Sequence, residues 1–416
     1  MSKKNACLLC SILVAAQILF ATPPFSHKRR ADLSRFVVLG DSLAAGVQNF
    51  SLLASQQRHG FAKVIAKQAG VKLKLPLVPY PGVPNKLDLV SFGPPPVIKP
   101  VDGTLPEPRL NPTVQPTDLA VPGVTVHQAL TMRPSLNITD PVQGWANIVL
   151  GFPTPFVFPG QPKSEIEQAE DLDPTTVLIW IGNNDALVPA LFGAIDSLTD
   201  PRSFNADYDE LLDRLRRTGA SIVTANIPDL AAIPFFTPAT TIAAQAHLSI
   251  EALNDLIGIS DGDYVRPGAL PLIDDILTGK TAGPLPQFCP PPSASPVSQV
   301  PCVLRKSDVV KLRAAIAIYN AEIAFQAARH GAVLFDAHAW FDGIRAHGYD
   351  VDGKHLTADF LGGIFSLDGI HPTNTAYAII ANEFIKRMNS ELRTHIRLAD
   401  IEEVAERDPL VFPNHR

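Results

Sequence analysis

Short apolar runs alternate with amphipathic segments along most of the chain. Uninterrupted or alternating apolar runs predict strands at about 35–39, 71–78, 118–123, 175–181, 221–227 and 332–335. Apolar positions at helical spacing predict helices at about 56–68, 125–132, 204–217, 241–257, 307–330 and 373–388. We expect the 204–217 helix to be capped near Ser203 or Asn205, and the 307–330 helix at Ser307.

This alternation predicts an α/β fold. The run Thr175–Ile181 has no charged residue and ends in five consecutive apolar residues, which suits a parallel strand buried on both faces. Strands that alternate with helices favour a three-layer α/β/α sandwich with a mostly parallel central sheet. Since there is no repeat and no clear linker, we predict one domain over 31–393, with long loop insertions at about 75–117 and 228–306 and a charged tail over 394–416.

Composition supports a globular protein without a nucleic-acid partner. The chain has 416 residues, a formal net charge of −6, 46% hydrophobic and 18% charged residues, so it can bury a large core. Its basic residues are scattered rather than grouped on one face, as nucleic-acid binding would need. The 39 prolines cluster around 75–122, 153–162 and 284–301, which predicts long ordered loops around a compact core.

The N-terminus has the pattern of a secretory leader. Lys3 and Lys4 precede the apolar run Cys7–Phe20, which is short for a membrane span, and Ala21 suits a cleavage site. We therefore expect residues 1–21 to be a signal peptide and the protein to be secreted or periplasmic, with an uncleaved anchor as the alternative.

Two cysteines lie outside that leader. Cys289 and Cys302 bracket a short proline-rich loop, and an even pair in an exported chain favours a disulfide. Two unpaired thiols remain the alternative, whereas a zinc site lacks supporting His or Cys spacing. Apart from His371, the histidines show no metal-ligand spacing either, so we predict no metal and no cofactor.

Three stretches carry the residues that a nucleophilic serine needs. Asp41 and Ser42 follow Gly40 at the carboxyl end of the first predicted strand, and open α/β sheets bind their ligands at the carboxyl ends of their strands. Asp368 and His371 are three residues apart, so the carboxylate can orient an imidazole that acts as base. Each of these patterns alone is common in proteins, and only their combination indicates catalysis.

Donors for a developing oxyanion also follow predicted strands. The side-chain amide of Asn184 comes just after the 175–181 strand, and Gly123 ends another strand where a ligand can approach the backbone N–H. The backbone N–H of Ser42 is the third candidate. Taken singly, each of these residues could be an ordinary turn former.

The set and its order resemble the SGNH/GDSL hydrolase family. Gly40-Asp41-Ser42-Leu43 matches the first block of that family, and Leu119-Ala120-Val121-Pro122-Gly123 resembles the second. Gly182-Asn183-Asn184-Asp185 and Asp368-Gly369-Ile370-His371 match the third and fifth blocks. The resemblance extends from Phe36 to about Met388 and implies a flavodoxin-like arrangement of the sheet. The Gly-x-Ser-x-Gly motif of the α/β-hydrolases is absent, because residue 44 is alanine where that motif requires its second glycine.

The resemblance implies a role for each matched residue. Ser42 would be the nucleophile, His371 the base and then the acid, and Asp368 the residue that orients it. The Ser42 N–H, the Gly123 N–H and the Asn184 side chain would form the oxyanion hole. We expect Asp41, Asn183 and Asp185 to have structural roles.

The predicted function is an exported carboxylic-ester hydrolase that works through an acyl-enzyme without a cofactor. The apolar loops Phe152–Phe158 and Phe235-Phe236 favour a lipase or esterase acting on a small-molecule or lipid ester, with transient contact to a lipid surface. A carbohydrate O-deacetylase and an acyltransferase use the same residues and remain alternatives. A non-catalytic envelope binding protein is the alternative of another class, although a binder does not need the three residues together.

Overall fold

The computed structural model describes residues 30–92, 96–138, 140–151, 161–290 and 298–412. The predicted leader at 1–21 and the loop Phe152–Phe158 lie outside these residues. The strands are β1 (Phe36–Gly40), β2 (Leu87–Ser91), β3 (Val97–Pro100), β4 (Thr176–Trp180), β5 (Ser221–Ala225), β6 (Thr237–Pro238), β7 (Tyr264–Val265), β8 (Phe288–Cys289), β9 (Val300–Pro301), β10 (Val303–Leu304), β11 (Val333–Phe335), β12 (Tyr349–Val351) and β13 (Lys354–Leu356).

Fifteen α-helices lie among the described residues. They are α1 (Ser42–Ala45), α2 (Ala54–Gln57), α3 (Phe61–Ala69), α4 (Val126–Thr131), α5 (Pro141–Leu150), α6 (Glu165–Asp171), α7 (Asn184–Phe192), α8 (Pro201–Arg217), α9 (Ala239–Gln245), α10 (Ile250–Ile257), α11 (Leu270–Leu277), α12 (Lys306–His330), α13 (Ala337–His347), α14 (Asn374–Glu391) and α15 (Ile401–Glu406). No described helix has both the length and the apolar content required to cross a bilayer.

The central sheet is parallel and has the order β1-β4-β5-β11. The segment 117–121 extends it beyond β1, because the N–H groups of Leu119 and Val121 donate to the carbonyls of Val38 and Gly40, both at 2.9 Å. Including this segment, the strand order is that of flavodoxin-like sheets, which bind ligands where the strand order reverses. The reversal lies at β1 and β4, the strands that precede Ser42 and Asn184.

Helices cover the sheet in two groups, which confirms the predicted α/β/α sandwich. One group joins α8 to α4, α6 and α12, and the other joins α14 to α3 and α15. Stacked aromatic rings fill both layers: Phe61 lies 5.1 Å from Phe384 in the second group, and Phe204 lies 4.3 Å from Tyr319 in the first. β1 and β4 are buried along their whole length between these layers.

Several predicted elements differ from the structure. The stretch 71–78 forms no strand, because the backbone N–H groups of Lys74, Leu77 and Val78 donate to side chains instead of to a neighbouring strand. The predicted helix at 241–257 is divided into α9 and α10 at His247, which has a φ of 55°. Helix α8 begins earlier than predicted, since Asp200 caps it, and α12 begins one residue after Arg305, so Ser307 is not its cap.

The insertion at 228–306 is more structured than a loop. It contains α9 to α11, the antiparallel sheet β10-β7-β6 and a second small hydrophobic core. In this core the sulfur atoms of Cys289 and Cys302 are bonded, with their Cα atoms 5.0 Å apart. The buried Arg266 links the insertion to the end of α7 by donating to the carbonyls of Ala190 and Leu191, at 2.6 and 3.2 Å.

The other two regions also pack on the sandwich. The insertion at 75–117 contains the hairpin β2-β3. In the predicted tail at 394–416, α15 packs on α14, and the buried carboxylate of Asp408 accepts hydrogen bonds from the N–H and the hydroxyl of Thr375 at 2.8 and 2.9 Å. The described part of the tail is therefore packed against the core.

Candidate active site

Ser42 occupies the first turn after β1. Gly40 has a φ of 141°, and a Cβ atom at this position would lie 2.2 Å from the carbonyl oxygen of Trp180, so only glycine fits the strand exit. The Asp41 carboxylate then caps α1 by accepting the N–H of Leu43 at 3.0 Å. This local structure presents Ser42 at the carboxyl edge of the sheet.

His371 and Asp368 lie on the turn that leads into α14. The Nδ1 atom of His371 is 2.9 Å from Asp368 Oδ2, and its Nε2 atom is 2.9 Å from Ser42 Oγ. The side chains of both residues are almost completely buried. The three predicted residues thus form one continuous hydrogen-bonded chain.

Asp368 is held as a carboxylate by several donors. Burial on its own would raise the pKa of Asp368, but the adjacent His371 imidazole and the backbone N–H groups of His371 and Ile370 outweigh burial and lower this pKa. Both N–H groups lie 2.8 Å from Asp368 Oδ1, which leaves Oδ2 to face the imidazole. An ionised carboxylate at Nδ1 favours the tautomer whose Nε2 can accept a proton from the serine.

Two of the three predicted oxyanion donors, Gly123 and Asn184, belong to segments that a hydrogen bond joins. Asn184 begins α7, and its side-chain amide donates to the carbonyl of Val124 at 3.0 Å. Gly123, which precedes Val124 in the chain, has a φ of 84°, and a Cβ atom at this position would lie 3.0 Å from the side chain of Val142. Asn184 lines the same pocket as Ser42 and His371, whereas Gly123 is not part of the pocket wall.

The motif residues predicted to be structural contact one another or the surrounding loops. Asn183 donates its amide to Asp41 Oδ2 at 2.8 Å. Burial raises the pKa of Asp41 to about 6, although its hydrogen bonds from Asn183 and Leu43 oppose this shift. Asp185 accepts the N–H of Val126 at 3.1 Å, and this contact ties α7 to the start of α4.

Glu165 also belongs to this site, although it was not predicted from the sequence. This buried residue at the start of α6 accepts the N–H of Gly40 at 3.1 Å and that of Val121 at 3.0 Å, and it thereby joins the segments that lead to Ser42 and Gly123. Burial, and to a lesser degree the nearby acids Asp41 and Asp118, raise the pKa of Glu165 well above its ordinary value. The capping pattern that begins at Ser164 marks the helix start, but no sequence signal shows that Glu165 faces inward.

A mainly apolar pocket adjoins the site, and the space between its atoms, which includes open solvent, is about 680 Å³. Its polar wall consists of Asp41, Ser42, Asn183, Asn184 and His371. The apolar lining comes from five separate parts of the chain and includes Leu187, Leu230, Ile233, Trp340, Phe341, Ile364, Phe365, Ile370 and Ile380.

Phe235 and Phe236, which the sequence suggested for an acyl chain, are buried but are not part of the pocket lining. Instead, the N–H of Phe235 donates to the carbonyl of Gly369 at 3.0 Å, so this segment supports the turn that carries Asp368 and His371. The described residues contain no cluster of three or more His, Cys, Asp or Glu side chains that could hold a metal ion.

Comparison with known proteins identifies the family. The model of the family GDSL-like Lipase/Acylhydrolase matches residues 36–384, which include all the segments that form the site. The chain belongs to this family. As a GDSL-family member the protein is a hydrolase, and the resemblance found in the sequence motifs is confirmed.

Two solved structures of low identity are also similar to this chain. One is LAE5, an α/β hydrolase enzyme from the metagenome of Lake Arreo, Spain, with 14% identity, a TM-score of 0.37, and coverage of 86% of this chain and 96% of that chain. The other, from Parabacteroides merdae, carries the name GDSL-like lipase and has 11% identity, a TM-score of 0.36, and coverage of 87% and 98%. No curated protein matched the chain.

Proposed function

We propose that this protein is a carboxylic-ester hydrolase that uses Ser42 as nucleophile, His371 as general base and acid, and Asp368 as the residue that orients the imidazole. The observation that carries this proposal is the continuous chain from Asp368 Oδ2 through His371 to Ser42 Oγ, with both links at 2.9 Å. These distances are within the reach that proton transfer requires.

In the proposed reaction His371 Nε2 takes the proton of Ser42 as the serine oxygen attacks the ester carbonyl. The resulting oxyanion accepts hydrogen bonds from the Ser42 N–H and the Asn184 amide, which line the pocket, and the Gly123 N–H is the third candidate donor although Gly123 is not part of the pocket wall. The Asn184 amide has two N–H donors, of which one bonds to Val124, so the second can serve the oxyanion. His371 then protonates the leaving alcohol, and water releases the acid from Ser42 by the reverse sequence.

The apolar pocket supports an ester with a hydrocarbon acyl chain as substrate. Its polar side chains are at the Ser42 end, and the remaining wall consists largely of aliphatic and aromatic residues such as Trp340 and Phe341. A buried methylene group contributes about 0.8 kcal/mol to binding, so such a wall favours longer acyl chains. An acetylated sugar would need polar partners around its ring, and among the described residues the polar lining of the pocket is confined to the Ser42 end.

A fluorophosphonate probe and a series of p-nitrophenyl esters of increasing chain length test the proposal. We expect the wild-type protein to be labelled and to hydrolyse the esters, and Ser42→Ala to do neither. Wild-type protein that is neither labelled nor active would contradict catalysis and favour the envelope binding protein. Transfer of the acyl group to added alcohol in preference to water would instead identify an acyltransferase.

We also propose that the enzyme is exported. The leader pattern at 1–21 supports export, and so does the Cys289–Cys302 bond, because disulfides persist in oxidising compartments. Expression with the native N-terminus, followed by mass spectrometry of the cell-free or periplasmic fraction, tests this. Retention of an uncleaved chain in the cytoplasm would contradict it.

A further inference from the structure

The chain between α1 and α2 is bonded to the turn that carries Asp368 and His371. This 47–51 segment follows directly from the helix that begins with Ser42. The Tyr377 hydroxyl donates to the carbonyl of Val47 at 2.6 Å, and Gln48 donates its amide to the carbonyl of Pro372 at 3.1 Å. The loop after the nucleophile thus bonds to residues that follow His371 in the chain.

Asn49 makes the central contacts of the 47–51 segment. Its N–H donates to the Ser366 hydroxyl at 3.0 Å, and its side-chain Oδ1 accepts the N–H of Leu367 at 3.0 Å. Its carbonyl accepts the N–H of Leu87, the first residue of β2, at 2.9 Å. Asn49 therefore joins the nucleophile loop to the Asp368 turn and to the insertion at 75–117.

The residue after Asn49 contacts the proposed triad directly. The N–H of Phe50 donates to Asp368 Oδ2 at 2.5 Å, which is the same oxygen atom that faces His371 Nδ1. The N–H groups of Ile370 and His371 bond to the other oxygen, Oδ1, and belong to the same turn as Asp368. The Phe50 N–H, which lies outside that turn, therefore donates a hydrogen bond to the oxygen atom that orients the imidazole.

The backbone at this point is in an unusual conformation. Asn49 has a φ of 51° and Phe50 a φ of 59°, so both lie in the left-handed region. Asparagine tolerates this region better than other residues with a side chain, whereas phenylalanine is disfavoured there. The contacts of Asn49, rather than a local preference of Phe50, therefore keep the Phe50 N–H directed at Asp368.

We propose that Asn49 is a positioning residue for the Asp368–His371 pair. Through its bonds to Ser366 and Leu367 it fixes the backbone that presents the Phe50 N–H to Asp368 Oδ2. This inference rests on the proposed function, because it assigns Asn49 a role in that triad. Asn49 does not touch the substrate and acts only through the geometry of the carboxylate.

Three substitutions separate the parts of this role. Asn49→Ala removes both the side-chain acceptor and the tolerance for a left-handed backbone. Asn49→Gly removes the acceptor but permits the backbone, and Asn49→Asp keeps both. Asn137→Ala, at an exposed asparagine, is the matched control. Thermal unfolding and circular dichroism establish that each variant is folded.

We expect Asn49→Ala to lower kcat about 10- to 100-fold with little change in KM, because a misplacement of about 1 Å costs this much in a positioned reaction. Asn49→Gly should also lose activity, whereas Asn49→Asp should keep most of kcat and Asn137→Ala should match the wild type. If Asn49→Ala does not fold, the kcat of Asn49→Gly tests the inference instead. A folded Asn49→Gly or Asn49→Ala variant with wild-type kcat would overturn the inference.

A spectroscopic measurement tests the same inference without turnover. The proton between His371 Nδ1 and Asp368 should give a downfield NMR resonance that is absent from His371→Ala. We expect this resonance to shift or broaden in Asn49→Ala and to persist in Asn49→Asp. An unchanged resonance in Asn49→Ala would refute the role of Asn49 even if the wild-type protein hydrolyses no ester, an outcome that would refute the proposed function separately.

Discussion

The Nε2 atom of His371 lies 2.9 Å from the Oγ atom of Ser42, although 329 positions separate the two residues in the chain. Ser42 reaches this point because it follows β1, the strand at which the sheet order reverses. His371 reaches it because the turn before α14 is bonded to the 47–51 segment and to Phe235.

Replacement of His371 by alanine should abolish most of the turnover. Without the imidazole no group can take the Ser42 proton, and loss of the base in a comparable triad lowers kcat by about 10⁶-fold. Steady-state kinetics on a p-nitrophenyl ester measures the loss. An unchanged kcat would remove His371 from the mechanism.

Asn184→Ala should lower kcat by about 10²- to 10³-fold with a small effect on KM, because an oxyanion donor acts mainly on the transition state. The residue also bonds to Val124, so unfolding should be measured beside the kinetics. If only KM rises in the folded variant, Asn184 binds substrate and does not stabilise the oxyanion.

Trp340→Ala should change the preference for acyl-chain length. Loss of this part of the apolar wall should lower kcat/KM about 10-fold for long-chain esters and leave acetate nearly unaffected, since apolar contacts of one or two methylenes have effects of this size. Phe325→Ala, which removes a ring that is 60% exposed on α12, is the control. An equal loss for acetate and long-chain esters would argue that the pocket does not hold the acyl chain.

Asp118→Asn should reduce the loss of stability as pH rises. Burial raises the pKa of Asp118 from its ordinary 3.8 to about 8, so the folded state keeps a proton that the unfolded state releases near pH 4. Its contribution to stability is therefore full below about pH 4 and is lost as the pH rises to about 8. The neutral asparagine can still accept the N–H of Ala120. The unfolding free energy of Asp118→Asn should therefore depend less on pH than that of the wild type.

Denaturant unfolding at pH 5 and pH 8 measures this difference, with the exposed Asp255→Asn on α10 as the control. The same fall in stability for wild type and Asp118→Asn would show that Asp118 is ionised in the folded protein at both pH values.

Replacement of Cys289 and Cys302 by serine should destabilise the 228–306 insertion more than the sandwich. The two residues are separated by 13 positions, and closing a loop of this size stabilises the folded state by about 3 kcal/mol in the chain-entropy model. Limited proteolysis should therefore cut this insertion first in the double variant. Equal cleavage of wild type and variant, with no free thiol in the wild type, would contradict this prediction.

The sequence predicted much of the sheet because its signals are local. The buried strands β4 and β5 follow from apolar runs, and the last two long helices, α12 and α14, from the periodicity of their apolar residues, although the cap predicted at Ser307 is not used. The false strand at 71–78 shows the limit of this reasoning. Its alternating pattern reflects one buried face, but a strand also needs a partner, and here side chains satisfy the backbone instead.

The sequence by itself determined the family, the α/β fold and the identity of the motif residues, because these are short patterns set by neighbouring positions. Only the tertiary structure decided that Ser42, His371 and Asp368 meet, that Trp340 and Phe341 line the pocket, and that Glu165 and Asn49 are bonded to the segments that form the site. Those contacts join segments far apart in the chain, and burial and direction of a side chain depend on what packs against it from elsewhere.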